Sequence, residues 1–331
     1  MAGIPWSTDE LAACLSMDYP QFTQLYPDRT FDGYRLKRQK LTAEGTTFPV
    51  QADKKIGEFN WRDANSLIGQ MQGMKHKASW TQTEAAIEID ADEPVCVLAL
   101  SDMHIGDWAT NHTLLEEVTD EILSTPNLYI ALLGDLAQTA IKLRSVSEVT
   151  SNMLPIDLQL AYIDSWLTEI APRVLFATWD NHSVDREESL VGFSSFAALQ
   201  SRRFVYHSGI GHPNVTVGDQ TYRFAVSHRF LGRSIENPCH APMRYLRREG
   251  HDREIGIMGD YHVPGIVKFT HGGTTKVAIN TGSFQTNSGY AKRWFSLFTH
   301  PVMPCITLHP DDHLITPYWS IKEWKIATGQ A

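Results

Sequence analysis

The sequence predicts an α/β protein, and three observations carry that reading. Short apolar runs of strand length recur from Val95 onward, stretches of helical character separate them, and each run stops at polar residues. VCVLAL (95–100), LYIALLG (128–134), RVLFATW (173–179), YRFAVSH (222–228), EIGIMGD (254–260) and KVAINTGS (276–283) read as buried strands. LLEEVTDEILS (114–124) and LQLAYIDSWLTEIA (158–171) read as the helices between them. There is no internal repeat and no low-complexity segment.

Composition is consistent with this. The chain has 331 residues, 42% of them hydrophobic, with 22 Gly and 16 Pro, which excludes collagen-like and wholly disordered classes. Single cores tend to stop growing at about 250 to 300 residues, so one large domain with a small appendage is expected. Cys14, Cys96, Cys239 and Cys305 are scattered with no CxxC pair, which excludes a zinc ribbon and a dense disulfide framework and fits a reducing compartment. The opening MAGIPWSTDE lacks a basic region followed by an apolar stretch, and no apolar run approaches the roughly 20 residues of a membrane span, so a soluble, cytoplasmic protein is expected. The net charge of -9 argues against a uniformly basic surface, and 14 His make metal ligation or acid–base chemistry worth seeking.

Residues 1–45 read as a small module of three short helices. Ser7 or Thr8 caps the first, with Asp9 and Glu10 in its opening turn and Leu11, Ala12, Leu15 and Met17 on its apolar side. Pro20 and Pro27 punctuate the chain around QFTQLY, and Thr30 caps a last helix, FDGYRLKRQKL. Early Trp6 followed by acids, a short middle helix and an Arg-Thr turn into a basic helix resemble the Myb/SANT-like helix-turn-helix group over about 35 residues. That resemblance implies DNA contact through Arg35, Lys37, Arg38 and Lys40; the alternative is a solvated helix end whose cations complement its dipole. Residues 46–92 read as a linker and a packing helix, with Trp61, Leu67, Ile68, Met71 and Met74 expected against the main domain at 93–331.

The chemistry concentrates at strand ends. Asp102 and His104 follow the first strand, Gly134 and Asp135 the second, Asn181 and His182 the third, His228 ends the fourth, and Asp260 and His262 end the fifth. Singly, each has an ordinary reading: a loop capping a helix, a turn, or a core imidazole. Together, and each after a strand, they point to a metal site, because parallel strands bring their carboxyl ends to one place.

Their order resembles the calcineurin-like metallophosphoesterase superfamily over about residues 95–285, where the motifs read DxH, GD, GNH(D/E), H and GHxH. The resemblance implies a four-layer αββα sandwich, two sheets with helices on both outer faces, and hydrolysis of a phosphoester by in-line attack of a water activated between two divalent ions. It implies that Asp102, His104 and His262 hold one ion, that Asn181 and His228 hold the other, that Asp135 bridges them, and that His182 stabilises or protonates the departing oxygen. Oxygen and imidazole donors without thiolate suit Mn, Fe or Zn; Mn is preferred on the resemblance.

Two departures stand out. Asp180 and Ser183 flank Asn181-His182 where the family has Gly and an acid, and Asp tolerates the positive φ that such a turn can need. Asp260 replaces the first His of GHxH, either as a harder ligand of the second ion, favouring Mn or Mg, or as too short a group, leaving a weak site.

Arg229 and Arg233, with Arg244, Arg247 and Arg248 after them, are candidates for phosphate binding or a solvated helical face. Tyr261 either stacks on a base or sugar or fills space. GYAKRWFSLF and TPYWSIKEW read as an extra edge layer. SDMHIGD resembles the first motif of double-strand-break-repair exonucleases and equally of lipid-linked nucleotide hydrolases, and the whole resembles bacteriophage-encoded members. A phosphodiester in nucleic acid is the expected substrate on these resemblances and the basic stretches, with a small nucleotide or phosphomonoester as one alternative and a catalytically degenerate DNA-binding factor as another.

Overall fold

The computed structural model describes residues 5–45, 62, 65–70, 84–139, 152–180, 205–207, 209–232, 234, 236–286 and 302–330. The chain divides into two compact units, residues 1–69 and 70–331.

In the first unit, three helices form where the cap residues start them: α1 (Thr8–Ser16), α2 (Tyr19–Leu25) and α3 (Phe31–Ala43). Ser7 caps α1 in a reciprocal capping box with Glu10, Asp18 caps α2, and Thr30 caps α3 through the Gly33 amide. Ala13, Cys14, Phe22 and Tyr34 make its core, with Trp6, Met17, Tyr19 and Tyr26 packed around them. The buried side of α1 is therefore centred on Ala13 and Cys14, one step round from the Leu11, Ala12, Leu15 and Met17 side that the sequence suggests. Arg29 joins the pieces: it bonds Glu10 at 2.8 Å and lies 4.6 Å above the Trp6 ring. Residues 65–70 are helical, with Leu67 and Ile68 exposed. Trp61, Met71 and Met74 lie outside the described residues.

The second unit holds two six-stranded sheets. One contains β1 (Glu84–Ile89), β6 (His212–Val217), β7 (Gln220–Ser227), β8 (Ile255–Met258), β10 (Thr274–Asn280) and β9 (Gly265–His271), in that order. The other runs β12 (Ile315–Tyr318), β11 (Cys305–Leu308), β2 (Val95–Leu100), β3 (Leu128–Leu132), β4 (Val174–Thr178) and β5 (Val205–His207). β2, β3, β4 and β5 are parallel, as are β7, β8 and β10, so two sets of carboxyl ends are available to one site.

Alternation along β2 shows the layering. Val95, Val97 and Ala99 face the other sheet, where Phe224, Val226, Ile255, Ile257, Val277 and Ile279 meet them. Cys96, Leu98 and Leu100 face outward onto α4 (His112–Ser124), α5 (Ile156–Ile170) and α7 (Ile321–Thr328), through Leu115, Ile122, Ile163, Trp166, Leu167 and Trp324. On the far side, Ala225, Met258 and Ala278 pack against Tyr245 and Leu246 of α6 (His240–Arg248). Burial on both faces is why these strands read as continuous apolar runs. The result is the expected four-layer αββα sandwich.

One feature differs from the sequence expectations, and two others are now given their elements. β1 pairs in parallel with β6, so this sheet begins at Glu84, ahead of the boundary expected near residue 93. TPYWSIKEW becomes edge strand β12 plus α7, with Trp324 fully buried; GYAKRWFSLF lies outside the described residues. The stretch bearing Arg244, Arg247 and Arg248 is helical, with Arg247 over the Phe269 ring.

Candidate metal centre

The site forms where the strands of both sheets end. Asp102 and His104 follow β2, Asp135 follows β3, His228 follows β7, and Asp260 and His262 follow β8. Five of these residues have left-handed backbone: Asp102 (φ 53°), His104 (49°), Asp135 (49°), Asp260 (64°) and His262 (58°). A non-glycine residue held there carries strain of order 1–3 kcal/mol, and it persists only where the surroundings over-determine it. Here they do. The Asp102 amide donates to Gly134 O at 3.1 Å, His104 N to Asp135 O at 3.0 Å, and Ser283 Oγ to Asp102 O at 2.8 Å.

Side-chain geometry follows from that frame. Asp102 Oδ2 accepts from Ser101 Oγ at 2.6 Å and from the Asp260 amide at 3.1 Å, which leaves Oδ1 facing His262 Nε2 at 3.0 Å. His104 Nε2 stands 3.3 Å from His262 Nε2, 3.9 Å from Asp102 Oδ1 and 3.8 Å from Asp135 Oδ2. His228 Nδ1 donates to Leu133 O at 2.7 Å, and its Nε2 lies 3.4 Å from Asp135 Oδ2. That Nε2 is buried and has no hydrogen-bond partner among the described residues.

Two groups of ligand-type atoms result, Asp102 with His104 and His262, and Asp102 with Asp135 and His228, each within 4.8 Å. These residues fit a divalent cation. Every donor is a carboxylate oxygen or an imidazole nitrogen, and the His228 ring is fixed through its other nitrogen, as in metal-ligating histidines. The sharing is broader than the sequence suggests, because Asp102 belongs to both groups while Asp135 Oδ2 stands between His104 and His228.

Electrostatics reflect the crowding. Burial pushes the Asp135 carboxyl up to about 7, with Asp180 and Asp102 adding to the rise against His228. Burial would also raise Asp102, but the His262, His228 and His104 rings outweigh it and hold the carboxyl well below its usual range. Burial lowers His228 and His262, but their carboxylate neighbours, first Asp135 and first Asp102 respectively, carry both above the ordinary value. The imidazoles outweigh burial at Asp102 but not at Asp135, whose charged form a bound cation would favour.

Asp260 contributes its amide to Asp102, while its Oδ2 lies 3.6 Å from Arg229 Nε, outside both groups. Arg229 is largely exposed and lines a small, shallow cleft with Tyr261 and Asn280. Tyr261 donates to Ser234 O at 3.1 Å. Asn181, His182 and Arg233 lie outside the described residues.

Asp180 does not take the positive φ suggested for it. Its Oδ2 instead accepts the Asp135 amide at 2.9 Å, so an acceptor explains its presence better than turn tolerance. Sequence reasoning also missed Ser101 and Ser283, which orient Asp102. The only signal was that Ser101 sits directly before the ligand-type pair.

In the first unit, Arg35 and Lys40 are exposed and pair with Asp32 at 3.6 Å and Glu44 at 3.8 Å on their own helix. Arg38 bonds Met17 O at 2.8 Å and the Tyr34 hydroxyl, and Lys37 Nζ lies 6.0 Å from the Trp6 ring centroid. All four cysteines are buried and free, and no described helix is long and apolar enough to cross a membrane.

No family model matches the chain, and no curated protein matches it. Solved structures do. The chain is similar to Vps29 of Entamoeba histolytica in complex with zinc, at 14% identity and a TM-score of 0.32, over 68% of this chain and 97% of that one. A conserved uncharacterised protein of Streptococcus pneumoniae TIGR4, described as a predicted phosphoesterase, is similar at 11% identity and a TM-score of 0.32, over 69% and 99%. Vps29 of Chaetomium thermophilum is similar at 11% identity and a TM-score of 0.35, over 68% and 96%.

Proposed function

We propose that the chain is a divalent-metal-dependent phosphoester hydrolase of the calcineurin-like metallophosphoesterase superfamily, with a phosphodiester in nucleic acid as its preferred substrate. The observation that carries this reading is the meeting of Asp102, His104, Asp135, His228 and His262, from the ends of four strands in two sheets, in two overlapping groups. Asp102, His104 and His262 would hold one ion, His228 with Asn181 and Asp260 the other, and Asp135 would stand between them. Mn suits this donor set, with Fe, Zn or Mg as alternatives. Bound ions would supply positive charge for the phosphoryl oxygens and an acidified water able to attack phosphorus in line.

The remaining work falls to the chain's own residues. Ser101 and the Asp260 amide hold Asp102 Oδ2 and so present Oδ1 to the centre. Arg229, exposed at the rim of the cleft, would bind substrate phosphate oxygens, with Arg233 in the same stretch. His182 would deliver the proton that the leaving oxygen needs. For nucleic acid, Arg35 and Lys40 are the available cations of α3, because exposed ion pairs with neighbours on the same helix exchange for phosphate at small cost. Arg38 and Lys37 are committed to Met17, Tyr34 and Trp6.

One observation favours a second reading, in which only the Asp102–His104–His262 position loads firmly: Asp260 Oδ2 faces Arg229 and stands outside both groups. Titrating Mn²⁺ into the metal-stripped full chain, with metal content counted per chain and hydrolysis of bis(p-nitrophenyl) phosphate followed, tests both. Two ions and turnover that Asp102→Ala removes are expected. One ion with turnover supports the second reading; no ion and no turnover leaves a DNA-binding factor. Cleavage of long DNA that is unchanged after deletion of residues 1–45 would remove the nucleic-acid preference in favour of a small nucleotide or phosphomonoester.

A further inference from the structure

We infer that Asp180 is a positioning residue of the metal centre, whose buried carboxylate grips the Asp135 backbone amide and adds a third negative charge behind the ion-binding pair. This rests on the metal reading above and goes beyond the ligand and proton-donor assignments, none of which includes Asp180.

The geometry is specific. Asp180 lies just beyond β4, two residues after Thr178, and is buried. Its Oδ2 accepts the Asp135 N–H at 2.9 Å across 45 residues of sequence, so it ties the end of β4 to the end of β3. Asp135 needs such a tie because it sits at φ 49°, directly after Gly134 at φ 88°. Gly134 is fitted to Asp180 in turn: a Cβ there would lie 2.5 Å from Asp180 Cβ and 3.0 Å from Oδ2. The glycine thus serves two ends, the left-handed turn and the close approach of the carboxylate.

A carboxylate accepting a backbone N–H is among the stronger hydrogen bonds, and in a buried setting it fixes the donor's peptide plane. Fixing the Asp135 peptide fixes the root of the side chain whose Oδ2 stands between His104 and His228. Asp180 also brings negative charge beside Asp135, which favours a dication over a neutral arrangement. Partners of this kind are commonly worth 10–100-fold in metal affinity.

The test is Mn²⁺ affinity of the metal-stripped full chain by calorimetry, with MnCl₂ alone as the probe. Asp180→Ala is expected to bind about 10–100-fold more weakly. Asp180→Asn, which retains an acceptor for the Asp135 amide and loses only the charge, is expected to recover part of that loss. Rescue by Asn separates positioning from simple destabilisation, which the thermal unfolding of the metal-free variants monitors alongside. Asp180→Ala at wild-type affinity, or Asp180→Asn no better than Ala, overturns the inference. Should Asp180→Ala fail to fold, Asp180→Asn tests the charge and Gly134→Ala, whose Cβ would push the Asp180 carboxylate off the Asp135 amide, tests the grip; wild-type affinity in both overturns the inference. Absence of Mn²⁺ binding by the wild type removes the metal reading itself, whereas wild-type binding with an indifferent Asp180→Ala removes only this inference.

Discussion

His228 donates from Nδ1 to the backbone carbonyl of Leu133 at 2.7 Å, and this one bond decides which edge of the imidazole meets Asp135. With Nδ1 committed as donor, Nε2 is the free edge. His228→Asn can keep a donor near the Leu133 carbonyl while removing Nε2. It should fold like the wild type, by circular dichroism and thermal unfolding without metal, yet lose at least about tenfold in Mn²⁺ affinity. An unchanged affinity would place His228 among structural histidines.

His182 and Asp135 have different assigned tasks, so their variants should separate. Asp135→Ala should lose metal. His182→Ala should keep it while turnover falls roughly 10²–10⁴-fold, the usual worth of a positioned proton donor. Metal content by mass spectrometry, measured on both beside the rate of diester hydrolysis, checks this; equal metal loss in the two contradicts the assignment.

Lys276 is a buried cation whose ammonium is gripped by backbone carbonyls. Its Nζ donates to His251 O at 2.7 Å, Arg253 O at 2.5 Å and Gly250 O at 3.4 Å, and burial pulls its pKa below the ordinary lysine value. These carbonyls form the turn between α6 and β8, the strand that ends at Asp260 and His262. Lys276→Met fills the same volume but strips the turn of its donor, and should lower unfolding stability by about 2–4 kcal/mol. Chemical denaturation of the metal-free chain measures it, and a change under about 0.5 kcal/mol, typical of surface substitutions, would show the turn holds without the lysine.

In the first unit, Glu10 is held at about 2, first by the hydrogen bond from Arg29 and then by the Ser7 amide. A carboxyl whose folded pKa is depressed contributes stability above its unfolded value, near 4.5, and loses it as pH falls toward the folded value, about 2. Glu10→Gln should therefore speed hydrogen exchange in α1 to α3 at pH 7, and the difference from wild type should shrink between pH 4.5 and 2. A difference that persists unchanged to the acid end would mean that the charge of Glu10 is not what matters.

The strands buried on both faces were legible because nothing interrupts their apolar runs: VCVLAL is β2 residue for residue. Three caps, at Ser7, Asp18 and Thr30, sit on residues with side-chain acceptors, and Ser7 and Thr30 stand out in the sequence because each precedes a helical pattern. Edge strands β1 and β9 were not legible. β1 exposes Glu84, Ala86 and Glu88 on one side, and β9 is only partly covered beyond Gly265, so neither shows an apolar run. The convergence of Asp102, His104, Asp135, His228 and His262 could be anticipated from their places after strands. The task of Asp180 could not, because a hydrogen bond to an amide 45 residues away leaves no local pattern.

The left-handed residues at the rim have a consequence for how the protein would fail. At Asp102, His104, Asp135, Asp260 and His262 the main chain has the handedness that a D-amino acid prefers, so an L-chain keeps this shape only while the two sheets clamp the turns from behind. The sandwich acts as a mould and the centre as its casting. Slackening the mould, by a cavity under β3 or β8, would let these turns relax toward ordinary backbone first, and the ligand atoms would drift apart in a protein that still looks folded.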